Sequence, residues 1–495
     1  MNDKTKIYLV APAMLFGLAF FSGASAWCQN EARSEARINA PTPNVAAPAA
    51  AETYPPDPVV LSTKAANEAP EGSQWQSRNW HMQSTIVGQG YPSFRASYSA
   101  ANSLPARGQA RETVSLDFYG GYRLWNGAEF HVDLLSWQGF GLHGTLGIDD
   151  FPNGEAYKVG TRAPHLDIAR FFIRQTIGLG GEKEAVPSDQ LTLAGDEEYA
   201  RLTLTAGRFS SKDIFDSNAY SNDPRTQFMN WALVADITWD YPADSLGYTT
   251  GVAAELDQSK WSLRYGFFQL PNQRNGFTAE AQYLMWPSNS SAGDFRFFHN
   301  WGMVVEGEHR FRAGTHPGAV RALGYLNQGE FGSYEAALSV PGADISQTYA
   351  NRHTFGFGLN AEQEITRNIG MFSRVGWNDG HNEAWMFTDV NHSASLGISI
   401  KGERWHHPDD TVGLAGVFSG ASRVNQEFLA AGGAGILDGD GALNYGVEKV
   451  VEAYYNHRFP KHLQGCLDYQ FVADPAFNRA RGPVSVLGTR LHWDF

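Results

Sequence analysis

The chain has 495 residues, with 38 basic and 52 acidic side chains, a formal net charge of -14 and only 2 Cys. That balance excludes a nucleic-acid partner, because phosphate recognition needs a basic face, and two cysteines cannot build a disulfide framework. No apolar run beyond the N-terminus approaches the roughly 20 residues of a spanning helix, which excludes a helical membrane protein but not a β-barrel, whose two strand faces average to a modest hydropathy.

The first element is a leader. Lys4 and Lys6 precede the apolar stretch Ile7–Phe21, and Ala24, Ser25 and Ala26 form a small-residue cleavage site, so residues 1–26 read as a secretory signal. Pro12 and Gly17 argue against a single anchoring helix, and Trp27 before Cys28 does not fit a lipidation site. Residues 27–77 are rich in Ala and Pro and lack apolar periodicity, so they read as a flexible periplasmic tail.

From residue 78 to 495 the dominant signal is period-2 alternation in blocks about ten residues long, the length a tilted strand needs to cross a bilayer. In Lys260–Leu270, Trp261, Leu263, Tyr265 and Phe267 share one face, opposite Ser262, Arg264, Gly266 and Phe268. In Asn300–Arg312, Trp301, Met303, Val305 and Phe311 oppose Glu306, Glu308, Arg310 and Arg312. One face suits lipid, and the other is too charged for a dry sandwich core, which predicts a water-filled, all-β transmembrane antiparallel barrel. The last block ends on Trp493 and Phe495, as bacterial outer-membrane barrels do.

Sixteen strands are predicted, near 79–90, 113–125, 128–137, 168–176, 199–209, 246–257, 260–270, 300–312, 317–327, 354–365, 369–377, 393–401, 411–419, 446–458, 463–472 and 484–495. With a periplasmic C-terminus, every even-to-odd connection must be periplasmic and short, and those at 126–127, 257–259, 313–316, 366–368 and 460–462 are. The long connections at 271–299, 328–353, 378–392 and 420–445 then fall outside. Residues 177–198 break the pattern, which leaves the fourth strand the weakest. Asn230–Tyr241 also alternates, but a seventeenth strand would reverse every later connection. Residues 210–245 are therefore expected to form one long extracellular connection folded into the lumen, and so long a connection is usually functional.

Several stretches resemble the OprB family of carbohydrate-selective outer-membrane porins: Gly147–Ala156 (GIDDFPNGEA), Phe172–Glu182 (FIRQTIGLGGE), Ala206–Trp231 (AGRFSSKDIFDSNAYSNDPRTQFMNW), Asp240–Gly251 (DYPADSLGYTTG), Trp377–Gly380 (WNDG), Ala430–Gly441 (AAGGAGILDGDG) and Arg481–Val484 (RGPV). The stretch containing DPRTQFMNW is the specific one; WNDG and RGPV alone would be weak. The resemblance implies a sixteen-stranded monomeric barrel in the outer membrane of a Gram-negative bacterium, admitting glucose-like sugars by facilitated diffusion. Its expected partners are the carbohydrate substrate and outer-membrane lipid and lipopolysaccharide, with no cofactor and no metal.

A neutral sugar presents hydroxyls, each donor and acceptor, and apolar C–H faces. A selective constriction therefore calls for Arg as forked donor, carboxylates as acceptors and aromatic rings over the sugar face. The basic residues are 28 Arg against 10 Lys, a bias toward planar hydrogen-bonding groups. Inward-phase positions supply Arg201, Glu255, Arg264, Glu306, Glu308, Arg310, Arg321, Arg374, Glu448, Glu452 and Asp468. Asp223 and Arg225, in the inserted connection, are the best placed to narrow the lumen. Against this stands the plainer reading that such charges only pair across a wetted wall.

Enzyme motifs do not survive inspection. Gly139, Gly141 and Gly144 match G-x-G-x-x-G without a following helix. Asp438–Gly441 resembles the start of a calcium loop, but its Gly is misplaced and no Glu closes it. His406, His407, Asp409 and Asp410 fall in a periplasmic turn and read as a solvated loop. No G-x-S-x-G elbow or H-E-x-x-H is present. The rival readings are a general small-solute porin, a barrel lipase, for which outward-facing His309 lacks a partner Ser, and a surface adhesin.

Overall fold

The structure, a computed structural model, describes residues 75–156, 160–272, 274 and 299–495. The expected leader, the tail up to residue 74 and most of the 271–299 connection lie outside the described residues. The strands are β1 (Arg78–Tyr91), β2 (Gln109–Trp125), β3 (Ala128–Gly139), β4 (Thr161–Gly178), β5 (Lys183–Val186), β6 (Gly195–Glu198), β7 (Arg201–Phe209), β8 (Thr249–Asp257) and β9 (Trp261–Gln269). They continue as β10 (Trp301–Ala313), β11 (His316–Phe331), β12 (Ala350–Thr366), β13 (Ile369–Asn378), β14 (His392–Lys401), β15 (Thr411–Gly420), β16 (Glu448–Arg458), β17 (Leu463–Ala473) and β18 (Val484–Asp494).

All but β5 and β6 hydrogen-bond to their neighbours as a closed antiparallel barrel, sixteen strands in the expected order. Closure joins β1 to β18, with Ile86 opposite Leu491. The terminal Phe495 exchanges both backbone hydrogen bonds with Met82, at 2.9 and 2.8 Å. The alternation also holds: on β10, Val305 is 41% exposed while adjacent Glu306 is 0% exposed. Trp80, Trp493 and Phe495 cluster on the outside near the chain end, where an interfacial aromatic girdle belongs.

The parity exception at 177–198 has a structural cause. There the chain forms the small hairpin β5–β6, paired from Lys183↔Glu198 to Val186↔Gly195, and its tip turns back to the barrel. The Asn79 side chain donates to the carbonyls of Asp189 (3.0 Å) and Thr192 (2.9 Å), and Gln190 donates to Gln83 (2.9 Å). β4 is a full strand, beginning at Thr161 rather than at the expected 168.

The connection from β7 to β8, residues 210–248, enters the barrel as expected. Its alternating segment is not a strand, because Asn230 accepts from the Ala232 N–H at 3.0 Å and caps the short helix Trp231–Val234, and Asp236 then turns the chain through the Thr238 N–H. What it meets corrects one expectation, for the lumen is not wetted throughout. Phe228, completely buried, lies edge-on to Tyr454 (4.9 Å) and Phe372 (5.4 Å), and Phe215 packs with Phe268 and Trp239 on the other side. Much of the inner wall is therefore a packed core between strands and loop.

Close approach explains two inward glycines. A Cβ at Gly376 would sit 2.2 Å from Asp236 Oδ1 and from Thr238 Oγ1, and one at Gly370 would fall 1.9 Å from the Tyr220 ring. Outward-facing Gly324, by contrast, would meet nothing within 4 Å. Gly376→Ala should therefore push the connection off β13 and lower the thermal unfolding midpoint, a cost of about 1–3 kcal/mol, while Gly324→Ala should leave it within error.

The same seat carries a pH dependence. Burial, and then the neighbouring Asp216 charge, push the Asp236 carboxyl up to about 7, against the Thr238 hydrogen bonds. A carboxyl that binds its proton more tightly when folded stabilises the fold fully below the ordinary range, and the stabilisation is lost as pH rises through about 7. The unfolding midpoint of the native chain relative to Asp236→Asn should thus fall between pH 4 and pH 8 in thermal scans of detergent-solubilised protein.

Candidate functional site

Inward charges on the strands hold the inserted connection by its backbone. Glu452 accepts from the N–H groups of Met229 (2.6 Å) and Asn230 (2.9 Å). Arg374 donates to Asp216 (2.9 Å) and to the carbonyls of Leu233 and Ser221 (both 2.8 Å). Arg490 donates to the carbonyls of Pro224 (2.6 Å) and Gln227 (2.8 Å), and Glu306 accepts from the Asp216 N–H (2.7 Å). Although burial opposes ionisation of Asp216, Arg374 and Lys212 hold its carboxyl far below the usual range. Each bond satisfies a group that burial would otherwise leave unpaired at a cost of several kcal/mol.

The seated connection leaves a cavity of ≈ 900 Å³ in the lumen. Four aromatic rings from three extracellular connections form one side. Trp231 stacks on Phe151 at 5.6 Å and 10°, Tyr241 stacks on Phe387 at 4.2 Å and 16°, and Trp231 lies 6.0 Å from Tyr241 and 5.6 Å from Phe387. Four guanidinium groups also line the cavity, those of Arg170, Arg225, Arg367 and Arg458, and the first two are held by carboxylates beside the rings. Arg225 pairs with Glu155 (2.8 Å) and Asp117 (3.4 Å). Arg170 forks onto Asp213 (2.8 and 2.7 Å), reaches Asp133 (2.7 Å) and lies 5.0 Å over the Tyr248 ring. Asp223 accepts from the Arg225 N–H at 2.9 Å, which fixes the turn that aims Arg225.

Of the residues expected to form a constriction, the structure brings only Asp223 and Arg225 to this cavity. Six others form one ion-pair ladder along the wall. Arg264 pairs with Glu306 (2.7 Å), Glu308 (3.0 Å) and Glu255 (3.4 Å), Arg321 pairs with Glu308 (2.9 Å), and Arg310 lies 3.4 Å from Glu308. Arg374 and Glu452 are spent on the seat. Asp468 neighbours Glu452 and accepts from Gln470 (3.0 Å). Glu448 accepts from the N–H groups of Asp150 (2.7 Å) and Ala476 (2.5 Å) and so holds two other extracellular connections. Arg201 pairs with Glu184 (2.7 Å) and Glu197 (3.4 Å) and fastens the β5–β6 hairpin. Strand phase established that these side chains point inward; the fold determined that their partners are other wall charges and the backbone of the connections. In the periplasmic turn, Asp410 is buried rather than solvated and accepts from His457 at 2.9 Å.

Sequence reasoning missed Arg170, Asp213, Glu155, Phe151, Trp231, Tyr241 and Phe387. Trp231 and Tyr241 stand in the alternating segment, where a period of two does not show that both rings share a wall with Phe151 and Phe387. The aromatic content of GIDDFPNGEA and DPRTQFMNW was the signal available. Chemically, the cavity offers ring faces to C–H surfaces and fixed guanidinium–carboxylate pairs to hydroxyls.

A family model described as carbohydrate-selective porin, OprB family, matches residues 101–495. No curated protein sequence matches the chain. Among solved structures, the high-pH form of Pseudomonas putida OprB shares 14% identity, covering 85% of this chain and 94% of that one at a TM-score of 0.62, which shows the same fold. The low-pH form of that protein (12% identity, 85% and 93% covered, TM-score 0.45) and Pseudomonas aeruginosa OccK2 (8%, 86% and 98%, 0.41) are also similar. The barrel, the inserted connection and the family match together place the chain in the OprB family of carbohydrate-selective porins, as a sugar channel of the outer membrane.

Proposed function

We propose that the cavity between the Trp231 ring and the Arg225 and Arg170 guanidinium groups is the selective constriction, and that it favours glucose-like monosaccharides over charged or longer solutes. The observation that carries this reading is the pairing of a four-ring aromatic wall with two arginines already held by carboxylates. Fixed donors lose little freedom when a hydroxyl arrives, and apolar ring faces suit the C–H side of a pyranose more than a hydrated ion. The wall ladder around Arg264 has a structural role in this reading. His309 faces outward from β10 beside Phe311, a poor setting for a hydrolytic triad, so transport is favoured over a barrel lipase. We further assign residues 1–26 to a cleaved leader and 27–77 to a periplasmic tail. The apolar outer face meets outer-membrane lipid and lipopolysaccharide, and the barrel works as a monomer.

Current through single channels in planar bilayers tests the assignment. Arg225→Ala and Trp231→Ala should each weaken glucose block about tenfold, the loss of one charge-assisted hydrogen bond or one ring contact, and Arg225→Ala should raise conductance. Arg264→Ala should keep the block while lowering the unfolding midpoint, since Glu306 loses its buried counter-charge and Glu308 keeps only Arg321 and Arg310. Equal loss of block in the Arg264 and Arg225 variants would move the constriction to the wall. A disaccharide and a phosphorylated sugar in place of glucose should block less.

A further inference from the structure

The extracellular connections hold a second charged cluster, none of whose residues lines the cavity. Asp149 lies between β3 and β4, Asp389 between β13 and β14, and Asp438 between β15 and β16. All three are at most 1% exposed, and each offers a carboxylate oxygen within 4.8 Å of the other two. Asp389 is partly satisfied, for it accepts from the N–H groups of Ile436 (2.7 Å) and Leu437 (3.1 Å) and from the Tyr334 hydroxyl (3.2 Å). Asp149 Oδ2 and both carboxylate oxygens of Asp438 have no hydrogen-bond partner, and among the described residues no Lys or Arg forms an ion pair with either residue. Arg274 stops at Glu383 (3.4 Å) and at the Ala434 carbonyl. Asp149 and Asp438, buried beside Asp389 with these oxygens unsatisfied, carry a large desolvation and repulsion cost.

The backbone is shaped around the cluster. A Cβ at Gly435 would fall 2.3 Å from Asp438 Oδ1 and 2.4 Å from Asp389 Oδ2, so a side chain there would occupy the space in which the carboxylates converge. Gly439, at φ +125, makes the turn that separates the roles of its neighbours. Asp438 faces the cluster, whereas Asp440 is used elsewhere, against Arg481 (3.2 Å), Asn478 (2.9 Å) and Ser103. This resolves why Asp438–Gly441 resembles a calcium loop yet fails its spacing: the other carboxylates come from different connections.

We propose that Asp149, Asp389 and Asp438 bind one calcium-like divalent cation that ties three extracellular connections together. Calcium takes oxygen ligands at about 2.3–2.6 Å in adaptable geometry, so oxygens up to roughly 5 Å apart share one ion, whereas magnesium demands a tighter octahedron and keeps its waters. The site bears on the channel because Phe151 and Phe387 lie two residues from Asp149 and Asp389 and belong to the aromatic wall. The carboxylate geometry is the same whether or not that wall binds sugar.

The test uses the full-length porin in detergent, stripped with EGTA, dialysed and titrated with calcium chloride at neutral pH by calorimetry, with thermal unfolding in parallel. One site per chain is expected, with a rise in unfolding midpoint of about 2–5 °C at hundredfold excess over the dissociation constant. Both should be lost in Asp438→Asn and in Asp149→Asn. Should the variants fail to fold, the native chain decides alone, since an absence of calcium heat and of any midpoint shift overturns the proposal. A calcium response retained in Asp438→Asn overturns it equally. A calcium-insensitive native chain stabilised by both Asn substitutions would mean that the carboxylates share protons instead.

Discussion

A charged side chain on the inner wall of a barrel must be solvated or paired, and in this chain the backbone of residues 210–248 supplies that pairing to a set of buried strand charges. Glu452, Glu306 and Glu362 accept its N–H groups, while Arg374 and Arg490 donate to its carbonyls. The dependence is mutual. An irregular segment buried inside a barrel has backbone groups that no ladder satisfies, and strand charges without a partner would need a column of water. Each resolves the other, and the segment is held in one position. Apolar anchors such as Phe228 and Phe215, buried completely between strand residues, add the non-directional part of the attraction.

The channel follows from that seat. Once the segment is fixed, its Trp231 and Tyr241 rings meet Phe151 and Phe387 from two other extracellular connections, and its Arg225 reaches carboxylates on β2 and in the β3–β4 connection. None of these groups is set in place by its own strand or turn alone. The proposed constriction is assembled at the meeting point of loops, which buried carboxylates fix to the wall, Glu448 and Glu452 among them. A sugar channel gains from this arrangement because preorganised donors and rings pay little ordering entropy when substrate enters.

Much of the barrel is legible in the sequence. The alternation of Trp261, Leu263 and Tyr265 against Ser262 and Arg264, the tight turn at 126–127 and the terminal Trp493 and Phe495 are local signals, each contained within a strand or turn. Counting parity then excluded Asn230–Tyr241 as a strand, and the structure shows the cause in the Asn230 cap. The site was far less legible. Arg264 and Arg225 look alike in sequence, since both are arginines expected to face the lumen, yet one belongs to a buried ladder and the other lines a cavity. Inward phase says nothing about what lies opposite. Glycine was an unused signal: inward Gly370 and Gly376 mark where Tyr220 and Asp236 come against the wall.

By itself, then, the sequence determined strand number, strand phase and which connections are short or long, and it carried the resemblance to the family to which the chain belongs. All of these rest on a backbone period of two and on motifs read within single segments. Tertiary structure alone decided which inward charges meet water, which aromatic rings share a wall and which carboxylates from separate connections converge. Those outcomes depend on the path of long loops across the barrel, where residues such as Glu452 and Met229, or Asp149 and Asp438, are far apart in the chain and meet only because the fold closes.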